Sequence, residues 1–467
     1  MRQRNRTGSP SGSETRLLIR WAWRLPSGVT RIALPSKNGV TTVMSTIFKT
    51  LGVLLLATAL LNIANGSLFT LIGLRLAAEV TPAVVGFITS GHFVGLLAGS
   101  FTATAIIMRV GHIRAFTVFA AVASCAVLLM GLVFGAPVWF ILRIVIGYCM
   151  AGLFMVLESW FNDGASNEKR GQTFGYYMVA SSGAFAVGPF LVNLGDPAAY
   201  PLFAITAILF NLCLLPIALT RKGNPVISQS NRLKLRELMK ISPLGVTGCV
   251  AAGLVNSAVY GLGAVYGDLA GLSDSGVALF FSAVILGGLA MQLPVGWISD
   301  RYDRRTTMMG LTCGAMGFAL LIVLFGGWSL PLLAVLSFAF GGMMGPIYGL
   351  SVAQANDYVE KDQFVAVSSG LLIAYSLGAI AGPNIASWLM DGVGPIGLWL
   401  YVAVILLGLG GFTVYRMRTR TALPVQEQGN YVAVAGETPL AGELDPRAVG
   451  DAEAAEAVAT GPAKNHD

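Results

Sequence analysis

Apolar residues in this chain collect into long runs separated by short polar turns, and they do so twelve times. The first six runs fall near 51–74, 82–107, 113–134, 137–161, 171–194 and 198–219. The second six fall near 244–267, 275–299, 305–326, 330–356, 363–390 and 394–416. Each is about 21 to 28 residues long, enough for a tilted helix to cross roughly 30 Å of hydrocarbon. No run shows the strict alternation of a half-buried strand, so the pattern predicts an all-α integral membrane protein with twelve transmembrane helices.

The two sets of six read as a duplication. The chain has two Asn-Asp pairs, Asn162-Asp163 and Asn356-Asp357, which stand 194 residues apart. Gly188-Pro189 and Gly382-Pro383 share that offset, as do Gly147 with Gly341 and Asn62 with Asn256. All four pairs fall in like-numbered runs or at their ends, so the repeats run in parallel, an arrangement used by secondary transporters. Of the 30 Lys and Arg residues, 28 lie in the termini or in alternate loops; Arg75 and Arg143 are the exceptions. Because cytoplasmic loops hold such charges, both termini and the even loops are expected to be cytoplasmic, in a plasma or bacterial inner membrane.

Composition agrees. Hydrophobic residues make up 55% of the 467 and charged residues 11%, against roughly 45–50% and about 25% in soluble domains. The net charge of +7 is uneven, with nine Lys/Arg and one acid in residues 1–49 but four against eight in residues 417–467. It implies no nucleic-acid footprint. The chain therefore divides into a basic N-terminal tail (1–49), a six-helix half (50–220), a basic cytoplasmic linker (221–243), a second six-helix half (244–416) and a disordered acidic tail (417–467). The first 43 residues admit three readings: a mis-assigned start with Met44 as initiator, a disordered basic tail, or an organelle transit peptide. Five cysteines inside apolar runs, without Cys-x-x-Cys spacing, read as packing residues rather than a disulfide or zinc framework. No phosphate loop and no His-Glu-x-x-His is present, so no cofactor, metal site or enzyme chemistry is expected.

After the eighth run the chain reads Gly296-Trp-Ile-Ser-Asp300-Arg301-Tyr-Asp303-Arg304-Arg305. This resembles the Gly-x-x-x-Asp-Arg-x-Gly-Arg-Arg loop of the major facilitator superfamily. The loop after the second run, Met108-Arg109-Val110-Gly111-His112-Ile113-Arg114, keeps arginines and glycine but has Met108 in place of the acid. Arg143-Ile-Val-Ile-Gly147 is similar to the superfamily's fourth-helix motif, and Ala355–Ala366 with Gly370–Pro383 resembles its YcaD-like branch. The resemblance covers about residues 50–416. It implies a twelve-helix transporter of small solutes whose Arg109, Arg114, Asp300, Arg301 and Arg304 form a cytoplasmic gate, with Glu158 a substitute carboxylate for the first loop. The bland reading of these arginines is topology alone.

Polar residues inside the runs are the other candidates. An uncompensated Arg143 within a span costs at least about 2.5–3.5 kcal/mol; it is either an anion or coupling site or a structural arginine satisfied by neighbouring carbonyls and hydroxyls. Asn62 and Asn65 share a helix face, and the repeat puts Asn256 at the height of Asn62. By resemblance the first and seventh helices line the cavity, so Asn62, Asn65, Asn256 and Tyr260 are candidate solute contacts; interhelical packing explains them equally well. His92 and Glu158 are the candidates for proton coupling. Gly188-Pro189 and Gly382-Pro383 predict kinks at equivalent points, and resemble a reduced form of the superfamily's fifth-helix antiporter motif. The whole reads as a secondary active transporter, expected to be a monomer, moving a small metabolite or drug-like solute by efflux or exchange. Uptake, or a transporter-like sensor that binds without moving its ligand, are the alternatives.

Overall fold

The computed structural model describes residues 37–163, 170–219, 234–360, 363–421, 423–429 and 431. Readings placed on residues 1–36, on Arg221, Lys222 and Arg232 of the linker, and on residues 432–467 lie outside the described residues. Met1–Phe48 and Lys49–Asp467 are separate compact units, and all twelve spans lie in the second.

The helices are α1 (Lys37–Ala77), α2 (Pro82–Val110), α3 (His112–Leu132), α4 (Ala136–Asp163) and α5 (Arg170–Val187), which continues as a 3-10 helix over Gly188–Leu194. Then come α6 (Tyr200–Leu212), α7 (Leu214–Ala218), α8 (Leu235–Ile241), α9 (Pro243–Leu269), α10 (Asp274–Ser299) and α11 (Arg304–Phe325). The last are α12 (Leu330–Met344), α13 (Pro346–Asn356), α14 (Phe364–Val393) and α15 (Gly397–Thr419). Twelve spans result, every boundary within three residues of the apolar pattern. That agreement is physical: in hydrocarbon each backbone amide must be satisfied within its own helix, so apolar length dictates element length.

The pattern missed three things. The tenth run is two helices, because Pro346 has no N–H to donate and α12 ends at Met344. The two Gly-Pro pairs are not equivalent kinks: at Gly188 the α-helix tightens to 3-10, whereas Pro383 sits inside an unbroken α14. The domain limits also need correction. A helix already runs from Lys37, and a short helix, α8, lies within the predicted linker. Residues 423–429 and 431, read as disordered tail, return to the second half, where buried Arg304 and Asp357 supply partners for their backbone.

Like helices pack alike in the two halves. A Cβ on Gly147 would run into the carbonyl of His92 on α2, and one on Gly341 into the carbonyl of Val284 on α10. Small residues thus bring α4 onto α2 and α12 onto α10 backbone to backbone, which is how helices gain packing in lipid. The turn between α2 and α3 is a single residue, Gly111, whose φ of 87° is the left-handed region that glycine adopts freely.

The molecule has a basic end, where the Gly111 turn and residues 300–303 lie, and an opposite end bearing the loops 78–81, 195–199, 270–273 and 394–396. Contacts between the halves gather toward the opposite end. Ala83 N donates to Asp391 Oδ2 (3.2 Å), Ser275 Oγ to Asn193 Oδ1 (2.8 Å) and Ser282 Oγ to the carbonyl of Ala186 (2.6 Å). A Cβ on Gly86 would meet Pro383 and Ser387, and one on Gly261 would meet Thr89.

Candidate functional site

Two helices of the first half set polar side chains against one aromatic ring, Phe69 of α1. Asn62, Asn65 and Phe69 follow the i, i+3, i+7 spacing that keeps them on one face of α1. Arg143 of α4 lays its guanidinium over Phe69, 4.7 Å from the ring centroid, and the His92 ring of α2 stands edge-on at 5.1 Å. All of these are buried; Arg143 and His92 are each 1% exposed. A desolvated guanidinium over a ring face gains about 2 kcal/mol. At 1.5 Å per residue these side chains lie ~10–20 Å from the opposite end, near mid-membrane.

The ring ladder continues across the molecule. Phe69 meets Phe185 of α5 (6.1 Å), and Phe185 meets Tyr260 of α9 (5.8 Å). Tyr260 and Asn256 line one small, partly open cavity, together with Val284 and Gly288 of α10 and Phe340 and Met344 of α12. Three of the five residues singled out for solute contact, Arg143, Asn256 and Tyr260, are thus joined through these rings and the cavity, and Asn65 is buried one turn before Phe69 on α1. Asn62 is buried too, but its Nδ2 turns back to the carbonyl of Thr58 on its own helix (2.9 Å). Asn65 Oδ1 and His92 Nδ1 are buried without a hydrogen-bond partner among the described residues, a costly condition for a polar atom. Phe69 and Phe185 were missed because aromatic residues in a span look like packing; the signal was Phe69, one turn beyond Asn65.

Glu158 lies apart, ~8 Å from the basic end of α4, where Tyr177 donates to its Oε1 at 3.1 Å. It is fully buried.

At the gate-like turns the halves differ. Arg109 and Arg114 are exposed, and the first turn is tied down by His112, whose Nε2 is 3.1 Å from Ser159 Oγ of α4. In the second turn Arg301 stacks on Trp297 (3.8 Å), while Arg304 forms an ion pair with Asp357 (2.7 Å) whose side chains are 0% and 2% exposed. The segment after α15 covers that pair. Arg304 donates to the carbonyl of Gly429, and Gly429 N donates to Asp357 Oδ1 (3.0 Å). Tyr431 N donates to Asp300 Oδ1 (2.7 Å), its ring fills the space above Gly296, and its hydroxyl donates to Gln292 Oε1 (2.8 Å). Burial holds the Tyr431 phenol above its ordinary range, so it stays a donor at physiological pH.

Breaking this arrangement separates its parts. Arg304→Ala strands the Asp357 carboxylate and is expected to cost about 3–5 kcal/mol; Tyr431→Phe, which removes one hydrogen bond, about 1 kcal/mol. Thermal unfolding in detergent checks both, and a loss under about 1 kcal/mol for Arg304→Ala would mean that the pair is wet.

Among the described residues no group of three or more His, Cys, Asp or Glu could hold a metal. The described cysteines are free; Cys149, Cys213 and Cys249 are buried as packing residues, but Cys125 and Cys313 are exposed.

Comparison with known proteins gives a consistent result. The Major Facilitator Superfamily model matches residues 54–284 and 270–444. An uncharacterized MFS-type transporter of Enterobacter sp. (strain 638) is 26% identical over 363 residues, covering 77% of this chain and 94% of the relative. The uncharacterized MFS-type transporter YcaD of Escherichia coli is 28% identical over 369 residues, with the same coverage. The crystal structure of nucleoside transporter NupG superposes with a TM-score of 0.67 at 14% identity, covering 79% of this chain and all of that one, a likeness of fold.

Proposed function

The chain belongs to the Major Facilitator Superfamily, within its YcaD branch, and from that membership we propose that it exports or exchanges a small amphipathic, anionic solute bound at the Phe69 ladder. It is an integral membrane protein and a secondary transporter of a small solute, not an enzyme. The observation that carries the substrate class is Arg143 stacked on Phe69 at mid-membrane, a positive charge on an aromatic shelf leading to the cavity of Asn256 and Tyr260. A cation held in low dielectric recognises an anion strongly, and the rings accept an apolar body.

Efflux or exchange, in preference to uptake, rests on the likeness of Gly188-Pro189 to the antiporter motif. The basic end is taken as cytoplasmic, which places the seam at Gly86 and Gly261 on the outer side. Proton coupling is assigned to His92, which shares the Phe69 ring with Arg143, ahead of Glu158, which lies near the basic end. The protein is taken to work as a monomer, each chain carrying its own site.

The test is ligand-dependent thermal stabilisation of the purified protein across a library of metabolites and drug-like compounds at pH 5.5 and 7.5. A compound at about 100 times its dissociation constant stabilises by roughly 2.7 kcal/mol. Hits are expected among aromatic carboxylates and similar anions, weakened at least about tenfold in Asn256→Ala, the loss of about one well-placed hydrogen bond. Hits confined to cations or to uncharged sugars would overturn the anionic assignment.

A further inference from the structure

A second polar cavity lies at the basic end, away from the solute site. It sits where α9 begins and α15 ends, which is the depth of lipid headgroups if the spans are set in a bilayer. It is a small, partly open recess lined by three arginines, Arg305, Arg416 and Arg420, with Gln354, Tyr358 and Ser242. Among the described residues that line it there is no carboxylate.

These arginines are held by the fold in different ways. Arg305 is 6% exposed, braced by Asp303 (Nε to Oδ2, 3.2 Å) and by donation from its Nη1 to the carbonyl of Arg420 (2.7 Å). Arg420 donates to the carbonyl of Ile241 (3.2 Å) and lies 4.2 Å over the Tyr358 ring. Arg416, half-buried, forms no ion pair among the described residues. Three guanidiniums around one cavity repel one another, and Asp303 offsets only one of them. Ser242 caps α9 by accepting from Gly245 N (3.3 Å), which leaves its O–H to donate, and the amino end of this 27-residue helix adds positive potential.

We propose that this cavity binds a phosphate group at headgroup depth. Forked guanidiniums match phosphate oxygens in pairs, and basic pockets between membrane helices are suited to anionic headgroups. The phosphate comes either from an anionic phospholipid or from a phosphate-bearing solute. Neither enters the transport reading, since the cavity is lined by none of the residues of the Phe69 ladder.

The experiment uses the full chain, purified and stripped of lipid in detergent, and titrated with dioleoyl phosphatidylglycerol, dioleoyl phosphatidylcholine or inorganic phosphate, the last against sodium chloride of equal ionic strength. Thermal unfolding and native mass spectrometry are read on the wild type, Arg416→Gln, Arg416→Glu and the exposed control Arg418→Gln. Phosphatidylglycerol is expected to raise the melting temperature by about 3 °C or more, with half-saturation weakened at least about fivefold in both Arg416 variants and unchanged in Arg418→Gln. An equal shift by inorganic phosphate, lost in the same variants, assigns the site to a soluble phosphate. A shift from neither, or one that survives both Arg416 variants, overturns the proposal. Arg416 is half-buried without an ion-pair partner, so its variants are expected to stay monodisperse; bound lipid counted by mass gives a readout independent of stability.

Discussion

Arg143→Ala is expected to reduce transport by at least about 30-fold while moving the unfolding temperature by no more than a few degrees. The two halves of that expectation come from different physics. Removing a desolvated charge that contacts a substrate anion costs about 2–5 kcal/mol of binding, which at 1.4 kcal/mol per decade is roughly 30- to 3,000-fold. Stability responds otherwise. The substitution forfeits the contact with Phe69, about 2 kcal/mol, but also removes a cation that costs at least about 2.5–3.5 kcal/mol to keep in a membrane span. Arg143→Lys retains the charge without the planar face and is expected to fall between, losing about tenfold. Transport in proteoliposomes and unfolding in detergent, measured on the same preparations, decide the matter. A collapse of stability in step with the loss of transport would make Arg143 a structural arginine, satisfied by its neighbours and irrelevant to the solute.

The sequence carried the scaffold more fully than the site, for reasons visible in particular residues. Span limits and the 194-residue repeat were legible because lipid leaves the backbone one way to satisfy itself, and because Gly147 and Gly341 face the same packing problem in each half. Pro346 was visible as a helix breaker but lay within an unbroken apolar run, and apolarity measures depth rather than helix continuity. Asn65, Arg143, Asn256 and Tyr260 stood out as candidates because a polar group in hydrocarbon needs a reason. Phe69 and Phe185 were not, since their role comes from Arg143 and Tyr260 lying beside them. The closing segment was hidden for the opposite cause. Gly429 and Tyr431 sit in the acidic tail that reads as disordered, and only the buried Arg304–Asp357 pair reveals why they settle where they do. Even the histidine that anchors the first turn, His112, reads in sequence as one more polar residue of a basic loop.

Gly86→Trp is expected to abolish transport by a different route, leaving the solute site intact. Gly86 stands on α2 where the halves meet, and a Cβ there would run into the carbonyl of Pro383 and the side chain of Ser387 on α14. A backbone carbonyl cannot swing aside as the end of a long side chain does, so an indole at this point forces the seam apart. Overpacking of this kind costs about 1–3 kcal/mol for a few added atoms, and the cost falls only on the state in which the seam is closed. A ligand-free equilibrium shifts toward the state open at this end by about 5- to 150-fold for a few added atoms and by more for an indole, so alternating access, which needs both states, falls by about 100-fold. Gly86→Ala, with one added carbon, is expected to slow transport about tenfold. The reporter is Asn256→Cys in a chain whose five native cysteines are replaced. Its reaction with an impermeant maleimide added at the end away from the basic loops is expected to rise at least about tenfold when Gly86 is Trp. Since the substitution lies on the seam rather than at the Phe69 ladder, solute affinity is expected to stay within about threefold of wild type. Unchanged labelling together with normal transport would mean that the Gly86 seam never opens, and that the halves move about some other line of contact.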